Sequence, residues 1–126
     1  MRNILIVVDM QNDFIDGSLG TKEAQEIVTP VAEKIRNFDG DIYGTLDTHE
    51  EDYLSTQEGK NLPVKHCIRG TDGWKLTPEI DALCEGDILN KPSFGSIELG
   101  FKLNDYRSNL RVIKNERVES ITLIGV

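Results

Sequence analysis

The sequence predicts an α/β fold: a parallel sheet covered by helices on both faces, a three-layer αβα arrangement. Three observations lead there. Short apolar runs rich in β-branched residues recur along the chain. Segments whose apolar residues repeat at helical spacing separate them. Polar groups fall at the carboxyl ends of the runs, where open parallel sheets place their ligand sites.

Ile4 to Val8 reads as a strand buried on both faces. Asp9 stands at its end, and Gln11-Asn12-Asp13 begins a loop; Asp9 either caps a turn or carries chemistry at the sheet edge. Asp16 to Gly20 is a run of turn formers. Thr21 offers a helix cap, and Ile27, Val31, Ile35 and Phe38 recur at helical spacing. Pro30 belongs in a first helical turn, so firm helix is expected from Thr29 up to Asp39-Gly40.

Asp41 to Leu46 is a second strand, followed by Asp47-Thr48-His49. Glu50 to Lys65 is polar and irregular, and connections of that length are functional or disordered. Glu79 to Cys84 forms a short helix, and Asp87 to Asn90 a third strand ended by Lys91-Pro92. Leu103, Tyr106, Leu110 and Ile113 mark an amphipathic helix, with Asn115 as its left-handed stop. Ile121 to Ile124 is a fourth apolar run. Such a run belongs inside a sheet, since open apolar edges aggregate. The chain is therefore expected to stop in the middle of its domain, with C-terminal strands missing.

No repeat, low-complexity tract or linker divides the 126 residues, so 1–126 is expected to be one domain. With 22 acidic and 14 basic residues the net charge is −8, which excludes nucleic acid and anionic membranes as partners. No apolar run approaches the roughly 20 residues of a membrane span, and Met1-Arg2 leads straight into the first strand without a signal peptide. Cys67 and Cys84 make no disulfide framework, and a reduced, cytoplasmic setting is expected. A homo-oligomer is left open.

Asp9, Asp47 with His49, and Lys91 end three different strands, and a parallel sheet would bring them to one edge. Asp47-x-His49 has metal-ligand spacing: residues two apart on an extended segment point the same way. Read alone it is also an ordinary solvated loop. His66 is the other histidine of the chain. Imidazole with carboxylate suits zinc first, then iron or manganese. Lys91 either balances Asp9, holding both ionised or letting Asp9 serve as a proton acceptor, or is a surface lysine before a turn. Cys67 beside His66 is a nucleophile or a small buried residue; Cys84 fits an apolar helical pattern. Trp74 is expected to pack, and Phe94 to pack or to line a pocket.

VVDMQNDF, LDTH, PVKHCIRGT, NKPSFGS and ITLIGV, in that order and spacing, resemble the isochorismatase-like cysteine hydrolases and, within them, the nicotinamidases. The resemblance covers the whole chain. It implies a six-stranded parallel sheet and a catalytic triad of Asp, Lys and Cys, with Asp9 and Lys91 matching the first two. It implies a divalent metal, often zinc, held by Asp47, His49 and His66, with Glu58 as a further ligand. Phe14 and Phe94 fall where the family places aromatic side chains around the substrate ring. Leu62 and Pro63 stand where many nicotinamidases carry an aromatic residue. The family's nucleophile lies beyond the last strand seen here, and neither Cys67 nor Cys84 matches it.

The implied activity is cleavage of a small-molecule ring amide, nicotinamide to nicotinic acid and ammonia. A cysteine thiolate would be deprotonated by Asp9 and favoured by Lys91. The chain as it stands is then expected to carry the charge and metal sites but no turnover. Three readings compete. One is a metal-free isochorismatase-type or other amide hydrolase. The second is a phosphoacceptor receiver-like domain, which Asp9, Asp47 and Lys91-Pro92 imitate without its neighbouring acidic pair. The third is a fragment that only binds a partner.

Overall fold

Ile4, Leu5, Ile6 and Val7 are each at most 2% exposed, and a strand that buries both faces must have neighbours on both edges. The computed structural model, which describes residues 2–111 and 115–126, supplies them. Strand β1 (Arg2–Val8) lies between β2 (Asp41–Asp47) and β4 (Val118–Gly125), and β3 (Asp87–Lys91) pairs with β2. All three pairings are parallel, in the order β3-β2-β1-β4.

Alternation of side chains along β1 divides the core in two. Leu5 and Val7 point to one face, where Ala24, Val31, Ala32 and Ile35 of α2 (Lys22–Arg36) pack with Leu46, Leu76 and Ile80. The short helices α1 (Asn12–Ile15) and α4 (Pro78–Asp81) complete that layer. Ile4, Ile6 and Tyr43 point to the other face, under Leu99, Leu103 and Tyr106 of α5 (Ile97–Asn109). Tyr106 Oη also donates to Asp41. The result is the expected αβα layering.

The chain departs from the sequence reading in several places. Gln11-Asn12-Asp13 does not begin a loop but enters α1, whose first residues are held from outside by the Lys75 carbonyl on Asn12 N at 2.9 Å. Helix α2 starts at Lys22, capped by Thr21 Oγ1 on Ala24 N at 3.0 Å, and runs through Pro30. Proline removes the bond to the carbonyl four residues back, but Glu26 and Pro30 both sit on the exposed side, where water can solvate that oxygen. Between Glu50 and Lys65 lie a 3-10 turn (Tyr53–Ser55) and α3 (Gln57–Asn61), nucleated by Thr56 Oγ1 accepting from Gly59 N at 3.0 Å. Cys84 follows α4 rather than sitting in it, yet packs against the core.

No residue of α5 is fully buried, and Ile97 and Phe101 are 80% and 68% exposed. Its expected apolar stripe is therefore thin; Ile113, assigned to it from spacing, lies outside the described residues. Asn115 has φ 52°, as a left-handed stop requires. The fourth apolar run is an edge strand among the described residues, with Ile121 51% and Leu123 68% exposed. Among the described residues no helix is long and apolar enough to cross a membrane.

Pro30 inside α2 gives a direct check. Pro30→Ala restores the missing N–H, and urea unfolding should show a gain of about 1–3 kcal/mol. A helix beginning at Thr29 would show no gain, because a proline in its first turn lacks nothing.

Candidate active site

The carboxyl ends of β1, β2 and β3 meet at one edge, as a parallel sheet dictates. Asp9 follows β1 with φ 50°, a left-handed conformation that is uncommon outside glycine and that Asp tolerates better than most. The turn aims its carboxylate across β2. Oδ1 accepts from Thr45 Oγ1 at 2.6 Å, and Oδ2 from Lys91 Nζ at 2.8 Å. Asp9 is 8% and Lys91 6% exposed, so this is a buried ion pair. Lys91 Nζ donates also to the Phe94 carbonyl at 3.2 Å.

The end of β2 builds a second cluster beside the first. Asp47, His49, Glu58 and His66 each bring one donor atom, all within 4.8 Å of one another. Asp47 Oδ2 lies 3.0 Å from His49 Nε2 and 3.3 Å from His66 Nε2, and Glu58 Oε1 lies 3.8 Å from His49 Nε2. His66 Nδ1 sits 2.7 Å from the Val64 carbonyl, which can only accept, so that nitrogen carries a hydrogen. In the neutral ring Nε2 then turns its lone pair toward a carboxylate oxygen, an arrangement that calls for a cation between them. Two imidazoles and two carboxylates fit a divalent ion such as zinc.

Buried polar groups hold the cluster from behind. Gln11, fully buried, clamps the Asp47 backbone: Nε2 donates to Asp47 O at 2.8 Å, and Oε1 accepts from Asp47 N at 2.9 Å. Cys67, φ 50°, gives its N–H to Asp13 Oδ2 at 2.8 Å and its carbonyl to His49 N at 2.9 Å. Tyr53 is fully buried with its ring 4.6 Å from that of His49 and 5.0 Å from that of His66, while its hydroxyl donates to Leu62 O at 2.9 Å. Burial, then the nearby Glu58 and Asp47 charges, raise the Tyr53 phenol, keeping it a neutral donor.

Both clusters open into one cavity of about 250 Å³, whose walls include Asp9, Phe14, Asp47, His66, Lys91 and Phe94. The Phe14 ring lies 5.5 Å from that of His66, whereas Phe94 stands 86% exposed at the rim. Glu58 and Leu62 also border the cavity, as does Val126, whose N–H donates to Val8 O at 3.2 Å. Trp74 lies outside it, packed on the core with Nε1 donating to Thr48 Oγ1 at 2.9 Å.

Of the eight residues singled out in the sequence, seven line one cavity, and His49 stands behind them in the donor cluster. Neither cysteine joins them as a reactive group. Cys67 is fully buried, and burial first, then Asp47, Asp13 and Asp9, push its thiol well up against the smaller opposing pull of Lys91. Burial and then Asp81 raise Cys84. Thr45, Gln11, Asp13 and Tyr53 went unnoticed in the sequence. Thr45 alone had a signal, standing two residues before Asp47 on one strand and hence on its side.

A family model for the isochorismatase domain matches residues 3–126. The nicotinamidase of Saccharomyces cerevisiae is 33% identical, over 60% of this chain and 49% of its own. The chain thus spans about half the length of that curated relative. A pyrazinamidase of Pyrococcus horikoshii solved in complex with zinc is 31% identical, with a TM-score of 0.66 over 100% of this chain and 71% of that one. An N-carbamoylsarcosine amidase of Thermoplasma acidophilum is 25% identical, with a TM-score of 0.68 over 99% of this chain and 68% of that one.

The buried pair has a measurable consequence. Lys91→Met strands the Asp9 charge and should lower unfolding free energy by about 3–5 kcal/mol. Asp9→Asn added to Lys91→Met should return much of that loss in the same urea titration. Additive losses would mean that the two charges do not interact.

Proposed function

The chain belongs to the isochorismatase family, and we propose that its site serves hydrolysis of a small ring amide, nicotinamide to nicotinic acid and ammonia. One observation carries the reading: a buried Asp9–Lys91 pair and a four-donor ion cluster share one cavity, beside Phe14 and Phe94. The cavity, about 250 Å³, suits a single aromatic ring. Similarity to a nicotinamidase and to a pyrazinamidase in complex with zinc supports the same substrate class.

The residues divide the work. Asp9, bonded by Lys91 and Thr45, is placed to take a proton from a nucleophile brought to the cavity. The Lys91 ammonium lowers the cost of a thiolate beside it. Phe14 and Phe94 flank the ring, and Leu62 closes the side where a larger aromatic residue would clamp it more tightly. A divalent ion held by Asp47, His49, Glu58 and His66, zinc first among candidates, would supply a Lewis-acid anchor for a ring nitrogen. The nucleophile is not among these 126 residues: Cys67 is walled in, and Cys84 lies with the core. Val126 borders the cavity, so a thiol on backbone continuing from β4 would enter beside Asp9.

Metal binding comes first. Calorimetry should show one zinc ion per chain, and His49→Ala or His66→Ala should weaken it by about 100-fold or more. Absence of a bound divalent ion would favour a metal-free hydrolase of the same family.

Substrate follows. Zinc-loaded protein should bind nicotinamide with NMR shifts at Phe14 and His66, and should release no ammonia from it. Cys67 should resist iodoacetamide even at about pH 9, where an unperturbed thiol would be more than half ionised. Turnover that Cys67→Ser abolishes would overturn the assignment of the nucleophile; binding of an acyclic carbamoyl compound in place of nicotinamide would overturn the ring-amide reading.

A further inference from the structure

The opposite end of the sheet carries a feature that the hydrolase site does not use. Arg107 in the last turn of α5, Arg111 just after it and Arg117 leading into β4 line one cleft of about 250 Å³ together with Val118. The chain has six arginines and a net charge of −8, so half of its guanidiniums gather at one place on an acidic protein.

Their pairing is what sets them apart. Arg2 bonds Glu116 at 2.8 Å, Arg36 lies 3.8 Å from Glu79, and Arg69 bonds Glu50 at 2.9 Å. Among the described residues, Arg107, Arg111 and Arg117 have no carboxylate partner. Arg107 donates only to Asn104 Oδ1 at 2.8 Å, and the Glu116 carboxylate beside Arg117 is engaged by Arg2. A cation in the last turn of a helix is ordinary, since it complements the exposed carbonyls, and that accounts for Arg107. It does not account for Arg117, which approaches from the strand side.

The backbone around the cleft is anchored. Arg2 N donates to Arg117 O at 2.8 Å, which ties the strand side to β1, and Glu116 N donates to Leu110 O at 2.9 Å, which ties the strand side to the end of the helix. Like charges held together without a counter-charge repel, unless an anion joins them. Guanidinium forks match the paired oxygens of phosphate, and three exposed arginines lining one small cleft favour a compact, multiply charged oxyanion. The acidic remainder of the surface repels a long polyanion, so a small molecule fits better than a polynucleotide.

We propose that the Arg107–Arg111–Arg117 cleft binds a compact phosphate-class oxyanion, either free or as the phosphate end of a small metabolite. The site lies at the amino end of β4, whereas Val126 just past its carboxyl end borders the catalytic cavity, so the two are separate. The proposal does not rest on the hydrolase reading, and its test contains neither zinc nor an amide.

Calorimetry on the ion-free protein at low salt, with inorganic phosphate, pyrophosphate and ADP as probes, should show one saturable site. Arg111→Gln and Arg117→Gln should each weaken pyrophosphate about tenfold or more, with the lysine replacements intermediate. Arg36→Gln, Arg69→Gln and His66→Ala should leave binding unchanged. Equal affinity for pyrophosphate and ADP identifies a free oxyanion as the ligand; tighter ADP identifies a phosphate-bearing metabolite. No saturable heat, an equal loss in the Arg36 and Arg69 variants, or affinity for oligonucleotides that grows with their length would overturn the proposal.

Discussion

The ion pair between Asp9, just past β1, and Lys91 of β3 links two strands that do not pair with each other, with β2 lying between them. It forms only if both strands are parallel to β2 and in register. Val8 opposite Thr45 and Asp47 opposite Lys91 set that register. A slip of one residue in β2 would turn Thr45 and Asp47 to the other face and leave both charges buried without partners. The pairing of the sheet and the electrostatics of the site are therefore one constraint. Apolar burial of Ile4 to Val7 drives the strands together, and the polar edge admits only one alignment.

That edge is rigid before anything binds. Asp9 and Cys67 both hold φ near 50°, conformations that cost of order 1 kcal/mol or more for residues with a side chain. Each is over-determined by its neighbours: Asp9 N bonds Thr45 O, and Cys67 is fixed through both its N–H and its carbonyl. Gln11 grips Asp47 by both backbone groups. No buried side-chain nitrogen or oxygen among the described residues lacks a partner. Donor atoms that would repel one another in water are thus kept within reach of a single cation by bonds made elsewhere.

What could be read in the sequence follows from how local each signal is. The strands were legible because a buried parallel strand is a short apolar run, and Asp9, Asp47 and Lys91 were legible because each ends one. Helix α1 was not, since its four residues are held by contacts to Asn12 from a segment some 60 residues away. Pro30 misled because propensity describes an isolated helix, while α2 is stabilised by the apolar face it lays on the sheet. Tyr53 left no trace in a polar stretch. Its importance comes from two rings that only the folded chain brings beside it.

Two aspartates one strand apart keep different company. Lys91 stands in register with Asp47, yet its ammonium bonds Asp9. Its long stem reaches across β2, and the Phe94 carbonyl and Asp9 hold the head there. Had it bonded Asp47 instead, the ion cluster would lose the carboxylate that lies within 3.3 Å of both imidazoles, and Asp9 would face the cavity with only a hydroxyl to balance its charge. As built, an ammonium pairs with Asp9, and Asp47 is left to two imidazoles and the donor cluster they share. The division of partners between the two carboxylates at this edge comes from where one lysine side chain ends.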